Sequence, residues 1–490
     1  MSRLRRLVIR LGKVVAVLVA LLVLGHTVAT IVTGRMLARE IQRLKAAGEP
    51  LTLAEAAPKP VPDDENAAPL YAEAYRKMRL SREDSMTLSD FGTFVFWTTG
   101  AGGTSRSLPP YSPPPGGTPQ ATWPTPAEIR RILARNSETI ALIEAAARLP
   151  HCVIPVNWNA PGATYVNEIF PPIGRMKTFA RLLIAKGNLL LVEHKPDQAL
   201  EVCRTMFRMS EHLAWQPTLI THLTRIALQA IAASEARIVL QSSPSFDACR
   251  TAFEVISHVD DRPGLVQAIK GGRALVIGGF RHPEYWKAGN FIPRMPPGIP
   301  GLVRIVLRHV AIGSYLARPV LNADEVDAVR MLAGAIEDAT RPYGAGAKRA
   351  FARLGGLVAR PTPLSGIGRG RGGYAASPWH AVTADLLPAF DGVALATSRG
   401  NACIGLTQVA LAVEAYRAKT GAYPETLSQA SRLLGWKLSD DPFSGRVFIY
   451  RREGKGFVAY SVGPNQRDDG GKGEPGLHLF DADIVWRVSR

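Results

Sequence analysis

Ten histidines, four cysteines and 41 acidic residues are spread over 490 positions, and few stand at spacings that could do chemistry. Zinc hydrolysis would call for a pattern such as His-Glu-x-x-His, which puts two imidazoles on one helix face, and none occurs. A Gly-x-Ser-x-Gly elbow and a Walker loop are absent too, and the glycines from Gly392 to Gly400 are too sparse to cradle phosphate. Asp63, Asp64 and Glu65 could do general acid–base work, but they follow a proline linker and read as surface charge. His212 and His222 fall on neighbouring predicted helices, where one hydrogen bond satisfies each, so a core role is expected over ligation. Cys152, Cys203 and Cys249 could pair outside the cytoplasm, although buried free thiols are the default, and Cys403 is expected to pack. Trp158, Trp215 and Trp486 read as core anchors.

The elements that would position these residues begin with an anchor. Arg3, Arg5, Arg6, Arg10 and Lys13 precede a run free of Asp, Glu, Lys and Arg from Val14 to Gly34. As a helix that run spans roughly 30 Å at about 1.5 Å per residue, enough for one membrane crossing. The basic tail, residues 1–13, stays in the cytoplasm by the positive-inside tendency, and everything after the 14–34 span is expected on the far side. A cleaved signal peptide, apolar to Leu24 with small residues at Thr27 and Ala29, is the competing reading. The stretch 301–321 is interrupted by Arg304, Arg308, His309 and Arg318, which suits a core helix or a basic helix on lipid headgroups better than a second span.

Residues 35–64 read as a solvated helical stalk ending in the linker Pro58 to Asp64. A mainly α-helical domain is expected over 65–385, with a Pro/Gly-rich loop at 100–126 and a Gly/Arg-rich segment at 341–376. Thr125-Pro126-Ala127-Glu128 has the form of a capping box with proline at the first helical position. Helices from about Arg175 to Glu193 and Asp197 to Ala214 should pair as a hairpin, and Thr218 to Gln241 should pack on it. Gly187, Ala199, Cys203 and Met206 resemble the small-residue skeleton of one tetratricopeptide repeat, with no second copy.

Residues 386–490 form a separate α+β unit by pattern. Ala402, Leu406, Val409, Val413 and Tyr416 mark a long helix that Gly421 ends, and a short helix follows near Pro424 to Leu434. Val447 to Tyr450 and Phe457 to Tyr460 flank a hairpin loop at Glu453 to Gly456, and Ile484 to Val488 supplies a last strand. The pieces Gly421-Ala422-Tyr423-Pro424, Asp441-Pro442-Phe443, Tyr460-Ser461-Val462-Gly463 and Asp481-Ala482-Asp483-Ile484 before Trp486 resemble, in that order, the soluble domain of the major pseudopilin of type II secretion systems. Glu65 to Tyr71 and Pro150-His151-Cys152 to Trp158 resemble stretches of bacterial membrane-anchored proteins that join a helical region to this ending, and the whole chain looks similar to them.

The pseudopilin resemblance implies a calcium site before the last strand, with a carbonyl from Val462, Asn465 where an Asp is usual, and Asp481 and Asp483. The alternative is a metal-free acidic loop, which Asp468 and Asp469 also join. Filament assembly by the pseudopilin route is not implied, because the anchor lies some 360 residues before the long helix and no processing site precedes it.

Composition bounds the rest. The apolar share is 46% and the charged share 20%, which excludes a polytopic membrane protein and a wholly disordered chain. Four cysteines cannot form a disulfide framework at this length. The net charge of +18 favours anionic surfaces, but Gly368 to Gly373 lacks aromatic residues for base stacking, so no nucleic-acid partner is expected. The expected protein is a single-pass, periplasmic binding or scaffold protein and not an enzyme, tied to type II secretion or envelope organisation. An envelope hydrolase whose carboxylates meet only in the fold is the alternative. Beyond the membrane, the expected partners are envelope or secretion-system proteins.

Overall fold

A computed structural model describes residues 2–88, 124–160, 162–281, 318–341, 381–472 and 483–488. The protein is mainly helical, with a three-stranded antiparallel sheet near the C-terminus. The loop at 100–123, the stretch 301–317, the segment 342–376 and Asp481 lie outside the described residues.

Helix α1, Ser2–Ala46, runs unbroken from the basic tail through the apolar stretch. Its apolar side chains from Ile9 to Leu24 face outward, and it is long and apolar enough to cross a membrane. The segment read as a stalk is fastened to the folded part. Leu44 packs with Ile277 and Val329, Glu40 pairs with Arg330 at 2.7 Å, and Glu49 pairs with Lys270 at 3.0 Å and Arg273 at 2.7 Å. Its polar composition hid this because a few spaced side chains make the contact while the others remain in water.

After α2, Leu53–Ala56, and α3, Ala68–Lys77, the bundle is built from α4, Pro126–Arg135, and α5, Ser137–Ala146, then α6, Gly162–Val192, and α7, Pro196–His212. The capping box opens α4 as its residues dictate. Thr125 Oγ1 accepts from the Glu128 N–H at 3.2 Å, and Glu128 Oε2 accepts from the Thr125 N–H at 2.6 Å. Helix α6 starts well before Arg175 and runs through Pro171 and Pro172. Two prolines sacrifice backbone hydrogen bonds, yet Tyr165, Ile169, Ile173 and Met176 bury one face across them, and that burial outweighs the break.

Helix α8, Leu219–Leu240, capped by Thr218, lies on the α6–α7 hairpin, followed by α9, Phe246–Ile256, α10, Asp261–Arg281, and α11, Arg318–Ala339. Then comes α12, Ala381–Thr420, which Gly421 ends in the left-handed region at φ 81°. The boundary expected at 385/386 falls inside α12. From Ala402 to Ala415 every residue of this helix is buried, because one side packs on α8 and α9 while the other carries the sheet. The narrow seam read from sequence therefore understates its burial, and the bundle and C-terminal residues share one core.

Helix α13, Leu427–Leu434, leads to β1, Ile449–Glu453, β2, Gly456–Ser461, and β3, Ile484–Val488, in the order β1-β2-β3. The register pairs Ile449 with Tyr460 and Ser461 with Ile484. Alternation sends Phe457, Ala459, Trp486 and Val488 into the main core, while Val458, Tyr460 and Val485 cluster on the other face. Trp436 stacks on Phe253 of α9 at 4.3 Å, which ties the segment after α13 to the bundle.

Candidate functional site

The acidic loop is shaped by left-handed positions at Gly463, Gln466, Gly470 and Gly471. A Cβ on Gly471 would stand 2.9 Å from the Tyr460 ring, so only glycine fits beneath it. Asp483 is buried at the start of β3, and its carboxylate accepts the Gly471 N–H at 2.8 Å and the Asp469 N–H at 3.3 Å. Burial raises its pKa above the ordinary carboxylate range, and these two hydrogen bonds oppose the rise. Asn465 donates to Asp469 at 2.9 Å and accepts from the Arg467 N–H, while Tyr460 donates to Asp468 at 3.0 Å. Val462 donates its N–H to Asp441, whose carboxylate also accepts from Ser461, Ser444 and the Phe443 N–H.

The loop thus brings Val462, Asn465 and Asp483 to one end of the sheet, together with Asp468 and Asp469. Calcium takes six to eight oxygens. Here both Asp483 oxygens already hold backbone N–H groups, and among the described residues no three His, Cys, Asp or Glu side chains converge as a metal set. Val462, Asn465 and Asp483 take part in closing the loop, and Asp481, the fourth residue of the expected calcium set, lies outside the described residues. Replacing Asp483 by Asn would turn one acceptor into a donor facing a backbone N–H. A loss of about 2 kcal/mol is expected in denaturant unfolding.

The histidines singled out by sequence are core residues with defined partners. His212 Nε2 lies 2.9 Å from the Leu149 carbonyl and Nδ1 lies 2.8 Å from Tyr71 Oη. A carbonyl only accepts, so Nε2 carries the proton and Nδ1 takes the tyrosine hydrogen bond. His222 Nε2 lies 2.8 Å from Thr397 Oγ1, which donates onward to the Val393 carbonyl, so Nε2 is again the donor. Burial and the nearby Arg225 depress the His222 pKa to about 3 and keep the ring neutral. All four cysteines are free and buried.

Around His222 lies a polar cluster that sequence reading did not find. Arg225 on α8 reaches Glu211 at 2.8 Å and Asp261 at 3.0 Å, Gln229 donates to Asp261 at 3.1 Å, and Asn401 accepts the Asp261 N–H at 3.1 Å. Burial pushes Asp261 up to about 6 against the opposing pull of the Arg225 guanidinium. Gly264 gives the cluster room, since a Cβ there would come within 2.7 Å of Arg225 Nη1. Arg225, Asp261 and His222 are all buried, so these groups hold α7, α8, α10 and α12 together and do not line an open cleft. Their sequence separations carry no periodic signal that could have linked them.

An open groove of about 510 Å³ lies between α13 and the approach to β1. Val409, Leu438 and Phe448 line it with Leu427 and Trp436, and Arg432 and Lys437 supply its charge. Among the described residues that line it there is neither carboxylate nor imidazole. Phe448 lies close against α12 because residue 405 is glycine, where a Cβ would come within 2.5 Å of the ring. Ser439 is fixed by hydrogen bonds to Gln408 Oε1 at 3.1 Å and 2.8 Å, and Gln408 in turn donates to the Ile256 carbonyl at 2.8 Å. One wall is thereby tied to the bundle. Val447, which also lines the groove, is 71% exposed, and Leu433 on α13 is 48% exposed. Comparison with family models, with curated proteins and with solved structures returns no match.

Proposed function

We propose that this is a membrane-anchored, extracytoplasmic binding protein of the envelope whose C-terminal groove holds a protein segment carrying apolar side chains and carboxylates. The observation that carries the reading is the groove itself, apolar in its lining and cationic at Arg432 and Lys437, with Val447 left in water. Apolar surface of this kind is where partner side chains gain most from leaving water, and the two cations select the sign of the partner. The anchor supports the location: the basic tail precedes an apolar helix that continues into the folded part. The long helix carrying a small antiparallel sheet supports the pseudopilin-like reading of the ending, and with it service to a secretion apparatus.

A photo-crosslinking residue at position 447 in living cells tests this. A discrete adduct with a membrane or envelope protein is expected, and Arg432→Glu with Lys437→Glu should abolish it while the melting temperature stays unchanged. No adduct, or one indifferent to the charge reversal, would overturn the reading.

A further inference from the structure

The folded part lies along the anchor helix itself. Asn322 Nδ2 on α11 donates to Thr33 Oγ1 at 3.4 Å, and about two turns further along both helices Arg330 pairs with Glu40. Residue numbers rise together on the two helices, so α11 is parallel to α1 and its first residue points toward the membrane. Arg318 lies four residues before Asn322, about 6 Å nearer the bilayer at about 1.5 Å per residue. That places its backbone level with about residue 29 of α1, inside the uncharged run that ends at Gly34. Helix α10 runs the opposite way, with Arg273 beside Glu49 and Ile277 beside Leu44, so its last residue, Arg281, points to the same end. Arg281 and Arg318 are both exposed and both act on the buried carboxyl of Glu325. Arg35 and Arg39 are exposed on α1 at the next levels.

A helical stripe on α1 agrees with this placement. His26, Thr30, Thr33, Leu37 and Glu40 are half-covered and Leu44 is buried, whereas Ile9 to Gly25 is open throughout. Coverage therefore starts within the apolar run. Twelve open uncharged residues, Val14 to Gly25, make only about 18 Å of helix, against about 30 Å of hydrocarbon.

We infer that the α10–α11 end of the domain is seated in the outer headgroup layer of the bilayer, with Arg281 and Arg318 pairing with phospholipid phosphate. This rests on reading α1 as the membrane anchor. Long arginine side chains lie across such a boundary, stems in the apolar region and guanidinium at phosphate, and anionic lipid adds attraction for each cation. The protein would stand against the membrane, held at a fixed angle, with the start of α10 at Arg262, nineteen residues or about 28 Å from Arg281, directed away from the lipid.

The test uses the full chain in nanodiscs of phosphatidylcholine and phosphatidylglycerol. Single fluorescent labels are placed at Leu18→Cys, Arg318→Cys and Arg262→Cys, the last exposed at the opposite end of α10. The native thiols do not compete, because burial pushes Cys152 and Cys403 up to about 12 and raises Cys203 and Cys249 further. A headgroup quencher should dim the label at 318 strongly and leave that at 262 bright, while an acyl-chain quencher dims the label at 18. Quenching at 18 with 318 no dimmer than 262 would overturn the inference and leave the anchor intact. No quenching at 18 would overturn the anchor reading itself. With Arg281→Glu added, most of the quenching at 318 should be lost, and unchanged quenching would overturn the pairing with phosphate.

Discussion

Gly271→Ala is expected to destabilise the protein by about 3 kcal/mol or more, the upper end for overpacking, and to lower its melting temperature accordingly. Gly271 sits inside α10 where a Cβ would stand 1.8 Å from the Pro217 carbonyl oxygen. That oxygen belongs to the backbone just before the Thr218 cap of α8, so it cannot rotate away as a side-chain end could. Alanine is the better helix former by about 1 kcal/mol, and this gain opposes the clash without matching it. Gly278 in the same helix provides the control. Its Cβ would meet nothing within 4 Å, so Gly278→Ala should show the propensity gain alone. Equal effects at the two positions would mean that α10 and α8 do not approach as described.

Glu235→Gln should stabilise the protein by about 3 kcal/mol at pH 7 and remove a pH dependence. Glu235 is buried on α8 beside Asn188, whose amide donates to it at 3.1 Å, and Gly187 leaves space for its carboxyl. Burial pushes its pKa up to about 8 from an ordinary 4.5, the single hydrogen bond from Asn188 opposing. At pH well below 4.5 the group is neutral in both states. Between about 4.5 and 8 the unfolded chain releases the proton while the folded protein keeps it, so stability falls by about 1.4 kcal/mol per unit of rising pH. Above about 8 the loss is complete. Glutamine has nothing to ionise and can still accept from Asn188. Denaturant unfolding at several pH values checks this, and a wild-type slope that survives in the variant would assign the dependence elsewhere.

What could be read from the sequence was local. The Thr125 to Glu128 box, the Gly421 stop, the turn at Gly454 and Lys455, and the strand Ile484–Val488 depend on residues a few positions apart, and each forms as its types require. The core role of His212 and His222 followed from their placing on helical faces, although Tyr71 and Thr397 as partners did not. Position in space was the harder part. Pro171 and Pro172 hid the first half of α6, since local preference opposes a helix that burial then enforces. The boundary expected at 385/386 falls inside α12, which packs on α8 and α9 and on the sheet at once, and a one-sided hydrophobic stripe cannot show that. Of the candidate site, the loop residues Val462, Asn465 and Asp483 could be named in advance. The groove could not, for it is made where α12, α13 and the approach to β1 meet.

By the proposal made above, α1 holds the folded domain on the outer side of a membrane. A membrane-impermeant maleimide applied to spheroplasts tests it directly, using Ser2→Cys and the exposed position in Val447→Cys, the native thiols being buried. Position 447 is expected to be labelled in intact spheroplasts and position 2 to react only after lysis. Labelling at position 2 with protection at 447, or recovery of the intact chain in the soluble cytosol, would contradict it.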